Sequence, residues 1–137
     1  MFWFKGFYRE SSQVHIIKIK LFLVIWKNIE YNIGNAFDES TGTFNCPHDG
    51  IYSFYATSSI YDNYEGWVQI YVNGSRKVNH LLRNHGAGEW EFKQVSPNGV
   101  FKLSKGDTVH IYMGGIFYLA SSECTRKYFQ GHLIDLL

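Results

Sequence analysis

A two-residue alternation of apolar and polar side chains limits this fold more than any other feature. Tyr52, Phe54 and Ala56 alternate with Ser53 and Tyr55, and Val68, Ile70 and Val72 with Gln69 and Tyr71. Val109, Ile111 and Met113 alternate with Thr108, His110 and Tyr112, and Phe129, Gly131 and Leu133 with Gln130, His132 and Ile134. Successive strand side chains point to opposite faces, so each run has one face for a core and one for another surface. The pattern belongs to antiparallel sheets covered on one side; strands of a parallel α/β core read as continuous apolar runs. Turn formers separate the runs: residues 32–35 with Gly34, Ser40-Thr41-Gly42, Asp49-Gly50, Asn73-Gly74, Pro97-Asn98-Gly99 and Lys105-Gly106-Asp107. Such punctuation predicts an all-β antiparallel sandwich or barrel with no helix. Residues 84–90, with Gly86 and Gly88, read as a surface loop.

Composition sharpens this. A chain of 137 residues is one domain. Eleven Phe, ten Tyr and four Trp suit pleated, half-buried surfaces and exclude disorder. They are more rings than one small core hides, so some are expected to pack against another chain. Lys plus Arg number 13 and Asp plus Glu 12, which leaves no basic excess for nucleic acid.

Residues 1–24 stand apart as a divergent N-terminal segment, either a strand or a misread gene start, before a globular domain over 25–137. Within the segment Ile17, Lys18, Ile19, Lys20 and Leu21 alternate as a strand does. The longest apolar run, 21–26, falls far short of the ~20 residues a spanning helix needs, so no membrane insertion is expected. Arg9, Glu10, Ser11 and Ser12 precede that run and bulky Trp26 and Lys27 follow it, so no signal peptide is visible.

Reactive chemistry finds little footing. There is no Gly-x-Ser-x-Gly elbow, no His-Glu-x-x-His and no phosphate-cradling glycine loop, so no enzyme and no cofactor are expected. Cys46 and His48 make half a zinc site, and no second pair completes it. Counting alternations puts Cys46 and Cys124 at opposite ends of a sandwich, about 17–20 Å apart. A disulfide needs Cα atoms within ~7 Å, so both read as small buried apolar side chains. Asn73-Gly74-Ser75 is both an Asn-Gly hairpin turn and an N-glycosylation sequon, which makes Asn73 a glycan-acceptor candidate. Loops on a rigid scaffold carry binding. In 58–66 the ligand-contact candidates are Tyr61, Asp62, Asn63, Tyr64 and Glu65, whose Tyr and Asn join a flat apolar face to hydrogen bonding. The loop 84–90 is the second candidate. His110 and His132 sit on strands, as surface or interface side chains.

Four blocks then carry a resemblance. Ala36-Phe37-Asp38-Glu39-Ser40-Thr41-Gly42-Thr43-Phe44-Asn45-Cys46-Pro47-His48-Asp49-Gly50-Ile51-Tyr52-Ser53-Phe54 resembles the opening motif of the C1q globular-head family. Val72-Asn73-Gly74, Gly99-Val100-Phe101-Lys102-Leu103 with Lys105-Gly106-Asp107-Thr108-Val109, and Tyr128-Phe129-Gln130-Gly131-His132-Leu133-Ile134 follow in that family's order. The resemblance covers 25–137. It implies a two-sheet antiparallel jelly roll shared with tumour-necrosis-factor ligands, a homotrimer, and a secreted, lectin-like role in innate-immune pattern recognition. The implied ligands are microbial surfaces, glycans or proteins. A cytokine trimer that binds a cell-surface receptor is the alternative. Some relatives hold calcium near the trimer apex with aspartates; the matching positions here are His85 and Lys93, which supply no carboxylate, so no calcium is expected there.

Overall fold

A computed structural model describes residues 3–7, 15–23, 27–61, 65–83, 92–119 and 128–137. The alternating runs at 52–56, 68–72, 109–113 and 129–133 fold as strands with their apolar members buried or, for Leu133, partly buried against the core. Tyr52, Phe54, Ala56, Val68, Ile70, Val109, Ile111, Met113 and Phe129 are all buried. In chain order the strands are β1 (Trp3–Phe7), β2 (His15–Leu23), β3 (Lys27–Ile33), β4 (Phe37–Asp38), β5 (Thr43–Asn45) and β6 (Gly50–Tyr61). They continue with β7 (Glu65–Val72), β8 (Ser75–Arg83), β9 (Phe92–Val95), β10 (Asn98–Leu103), β11 (Thr108–Leu119) and β12 (Tyr128–Leu136).

Two sheets face each other. Sheet one runs β10-β6-β12-β1-β3, with β9 also on β6; sheet two runs β4-β5-β11-β7-β8, with β2 also on β11. All pairings between the described strands are antiparallel, and the neighbours are mostly distant in sequence, as in a jelly roll. One edge of β6 is covered by two segments in line: β10 pairs Gly50 to Tyr55, and β9 pairs Ser58 to Tyr61. Pro97-Asn98-Gly99 is therefore no hairpin turn. Between those two segments the Pro97 carbonyl accepts the Ala56 N–H at 3.0 Å, and Asn98 and Gly99 open β10.

A cluster of rings fills the space between the sheets. Phe4 comes from β1 in sheet one and stacks on Phe37 of sheet two, with ring centroids 4.5 Å apart and planes 7° apart. It meets Phe129 edge-on at 4.6 Å and lies 5.7 Å from Phe44. Phe44 in turn meets Phe54 at 5.2 Å and Tyr52 at 5.4 Å. Gly131 is paired with both Phe4 and Phe54, and its missing side chain makes the room. A Cβ there would lie 2.5 Å from Phe4 and 2.6 Å from Phe54. The strands before residue 25 thus hydrogen-bond into the same two sheets as those after it, and β1 contributes a central ring.

One end of the sandwich is tied by polar turns. Asn73 and Gly74 take φ of 50° and 76°, the left-handed pair that a tight β-hairpin requires. Asn73 Oδ1 accepts the Thr108 N–H at 2.9 Å, and its amide donates to Asp107 Oδ1 at 2.9 Å. The Ser104 N–H and the Asn73 amide together hold the Asp107 carboxyl below the usual carboxylate range. Nearby, the His48 carbonyl accepts both the Tyr52 hydroxyl at 2.8 Å and the Cys46 thiol at 3.1 Å. Cys46 is buried and free, and burial pushes its thiol up. Cys124 lies outside the described residues.

Two outcomes follow from this core. Phe4→Ala is expected to cost about 3–5 kcal/mol, the usual range for truncating a buried ring, and Gly131→Ala about 1–3 kcal/mol by overpacking. Urea unfolding followed by tryptophan fluorescence checks both, and a loss under 1 kcal/mol for Phe4→Ala would contradict the packing described. In a Cys124→Ser variant, Cys46 is expected to resist a soluble thiol reagent in the native state and to react fully once unfolded; equal rates in both states would contradict its burial.

Candidate functional site

Because the inner faces are filled, the outer faces of the two sheets are what the molecule presents, and they differ in chemistry. On sheet one, Val100, Ser53 and His132 fall in one cross-strand row with Ile33, two strands beyond. The next row holds Asn98, Tyr55, Gln130 and Tyr31. Tyr55 and Tyr128 rings lie 5.6 Å apart on this side. Among these polar side chains, large apolar ones are exposed: Val100 is 61% exposed, Ile33 55% and Ile134 53%.

On sheet two the outward positions of β7 and β11 carry rings and an amide. Tyr71 pairs with His110, and Gln69 pairs with Tyr112. Their alternation partners Ile70, Val109 and Ile111 are in the core, which is why these side chains point out. The Tyr71 and His110 rings stack at 5.8 Å and 16°, Tyr71 meets Tyr112 at 4.5 Å, and His110 meets Tyr112 at 5.2 Å. Each ring is half-buried. Gln69 is 5% exposed; its Oε1 accepts the Tyr71 hydroxyl at 3.2 Å and its Nε2 donates to Asn79 Oδ1 at 3.0 Å. The floor of the cluster is thus fixed by hydrogen bonds as well as packing. Burial holds His110 below the ordinary histidine value, so near neutral pH its imidazole is an uncharged ring.

Beside the rings runs β8. Arg76 pairs with Tyr71, and a bulge inserts Lys77 before Val78 returns to pair with Ile70. Arg76 and Lys77 are both exposed, and Val78 packs on the core.

The sequence candidates fall elsewhere. The stretch 58–66 is not a loop throughout. Ser58 to Tyr61 continue β6, because β9 satisfies their backbone, and Glu65 and Gly66 open β7. Tyr61 is thus a strand end paired with Phe92, and Glu65 makes an exposed 3.0 Å ion pair with Arg83. Asp62, Asn63 and Tyr64, and the loop 84–90 with His85, lie outside the described residues. Lys93 is exposed on β9. Asn73 is exposed at its hairpin tip, with its amide already donating to Asp107. Among the described residues no three His, Cys, Asp or Glu side chains gather as metal ligands, and the Cys46 thiol turns to a backbone carbonyl. Also among them, no helix is long and apolar enough to cross a membrane. Outward alternation marks Tyr71, His110 and Tyr112 singly in the sequence; only the pairing of β7 with β11 brings them together.

Comparisons with known proteins agree with the sequence blocks. Complement C1q tumor necrosis factor-related protein 3 of Homo sapiens is 33% identical over 95 residues, covering 66% of this chain and 36% of that protein. The Mus musculus protein of the same name is 33% identical over 92 residues, with the same shares covered. The chain therefore spans 36% of the length of these relatives. Among solved structures, the globular domain of zebrafish complement 1qA protein superposes with a TM-score of 0.68 at 21% identity, covering 100% of both chains. Eiger TNF from S. frugiperda gives 0.65 at 13% identity, covering 99% of this chain and 92% of that one. Murine APRIL gives 0.61 at 15% identity, covering 94% and 97%. At such identities these likenesses speak for the jelly-roll fold. A sequence model described as the C1q domain matches residues 7–134, and with that match over nearly the whole length the chain belongs to the C1q domain family.

Proposed function

We propose that this chain is a secreted, non-catalytic recognition domain that works as a homotrimer in innate-immune pattern recognition. The observation that carries the reading is where the exposed apolar side chains lie. Tyr31, Ile33, Val100, Ile134 and Leu136 all belong to strands of sheet one, and among the side chains described on sheet two Leu81 is the large exposed apolar one. Large apolar side chains left exposed on one sheet mark it as the interaction side, and Tyr55 with Tyr128 adds the aromatic character that interface cores favour. Three copies meeting through sheet one leave sheet two outward. Weak contacts by each copy then add up on repetitive microbial surfaces, since joined sites raise the effective concentration of one another. Within the same reading, the Tyr61, Asp62, Asn63, Tyr64 and Glu65 segment is a ligand-contact region and Asn73 a glycan acceptor.

Sedimentation velocity of the chain as expressed tests the assembly. The expected particle has three times the 16.0 kDa chain mass. Placing carboxylates in the apolar face with Val100→Asp and Tyr55→Asp is expected to give single chains that keep the all-β circular-dichroism spectrum. A wild type that sediments as one chain at high concentration would overturn the trimer. Recovery of one receptor from cell surfaces, with no binding to microbial surfaces, would move the reading to a cytokine.

A further inference from the structure

We infer that the outer face of sheet two is a subsite for an anionic sugar. In it Tyr71, Tyr112 and His110 receive the apolar face of a pyranose ring, and Arg76 with Lys77 receives its acid group. This rests on the recognition reading above and names a ligand class and a place for it.

Three observations point to that occupant. The first is the shape and chemistry of the platform. Three mutually touching rings, with centroids 4.5 to 5.8 Å apart, stand on the outside of a sheet whose inner face is already filled. A sugar ring presents C–H groups on one flat side and hydroxyls around its rim. The Tyr71 and His110 rings, with planes 16° apart, match the flat side, the Tyr112 ring stands tilted against both as a wall, and polar groups placed at their margin match the rim. Those groups are the Tyr112 hydroxyl and the Asn79 side-chain amide; Asn79 uses its carbonyl oxygen to hold Gln69, so its N–H groups face no partner among the described residues. The second is preorganisation. Gln69 is hydrogen-bonded on both sides beneath the rings, so little side-chain freedom is lost on binding.

The third is charge. The bulge in β8 sets Arg76 and Lys77 next to each other along the ring cluster, exposed and without an ion-pair partner among the described residues. The nearby carboxylate, Asp107, already accepts from the Ser104 N–H and the Asn73 amide. Asp38 sits on β4 at the far edge of the sheet, four strands from β8 and bonded to Ser40. Cations thus flank one side of an uncharged aromatic floor. That arrangement favours an acidic sugar over a neutral one, and arginine adds a planar fork suited to carboxylate or sulfate.

Isothermal titration with three oligosaccharides of equal length tests this on the full chain: a sulfated heparin fragment, an unsulfated hyaluronan fragment and a neutral cellulose fragment. Binding of at least one acidic fragment about tenfold tighter than the neutral one is expected; hyaluronan binding shows that a carboxylate suffices, and binding of the heparin fragment alone shows that its carboxylates do not. Tyr112→Ala is expected to weaken the acidic fragment about tenfold, and Arg76→Ala with Lys77→Ala to bring it down to the level of the neutral one. Arg76 and Lys77 are exposed, so their double variant tests the site even if Tyr112→Ala unfolds. Acidic-sugar affinity unchanged by folded Tyr112→Ala would show plain charge attraction and overturn the ring subsite, as would acidic and neutral fragments binding alike. Sedimentation run in parallel keeps the two readings apart. A trimer that ignores all three sugars overturns this subsite and leaves the assembly standing, and a single chain that prefers an acidic fragment does the reverse.

Discussion

The structure depends on aromatic side chains meeting across the gap between two sheets, and Phe4 is the ring on which they converge. It touches Phe37 and Phe44 of the facing sheet and Phe54 and Phe129 of its own. Face-to-face sheets stand about 10 Å apart, a space that large rings fill with few voids. Filling it with rings has one geometric condition: some position must carry no side chain. Gly131 meets that condition, since its backbone runs where Phe4 and Phe54 already are. Aromatic pairs in offset or edge-on contact add attraction beyond the area they bury, so the cluster is both filler and adhesive.

A core of that kind decides what the outer surfaces can do. β7 and β11 place Val68, Ile70, Val109 and Ile111 inside and Tyr71, His110 and Tyr112 outside on the same backbone. Whatever fixes the inner side chains therefore also fixes the spacing of the outer ones. The two outer faces have taken different chemistry. Sheet one presents Val100, Ile33 and tyrosines, suited to another protein surface; sheet two presents rings over a hydrogen-bonded amide with cations alongside. In the function proposed, one face joins copies of the chain and the other meets a ligand.

Some details rest on turn chemistry that works at one end only. Asn73 and Gly74 adopt the left-handed pair, and the Asn73 side chain ties the hairpin to the turn before β11. The side chains in β6 near Ser58 are serine-rich and followed by Tyr61, Asp62 and Asn63, a composition that reads as loop. They extend as strand because β9 supplies hydrogen bonds to their backbone. Pro97-Asn98-Gly99 misleads in the same way: residues that usually turn a chain here join two segments that share one neighbour.

What the sequence by itself determined is local. Alternation specified which side of each strand faces in, Asn73-Gly74 specified a hairpin, and the ordered blocks from Phe37 to Ile134 specified the family. Only the tertiary structure decided what lies beside what: Phe4 of β1 between β12 and β3, β9 and β10 in line along β6, and Tyr71, His110 and Tyr112 as a single cluster. The reason is physical. A side chain's direction along a strand is set by its neighbours in sequence, whereas contact between strands is set by register among segments tens of residues apart, which packing of the whole core selects.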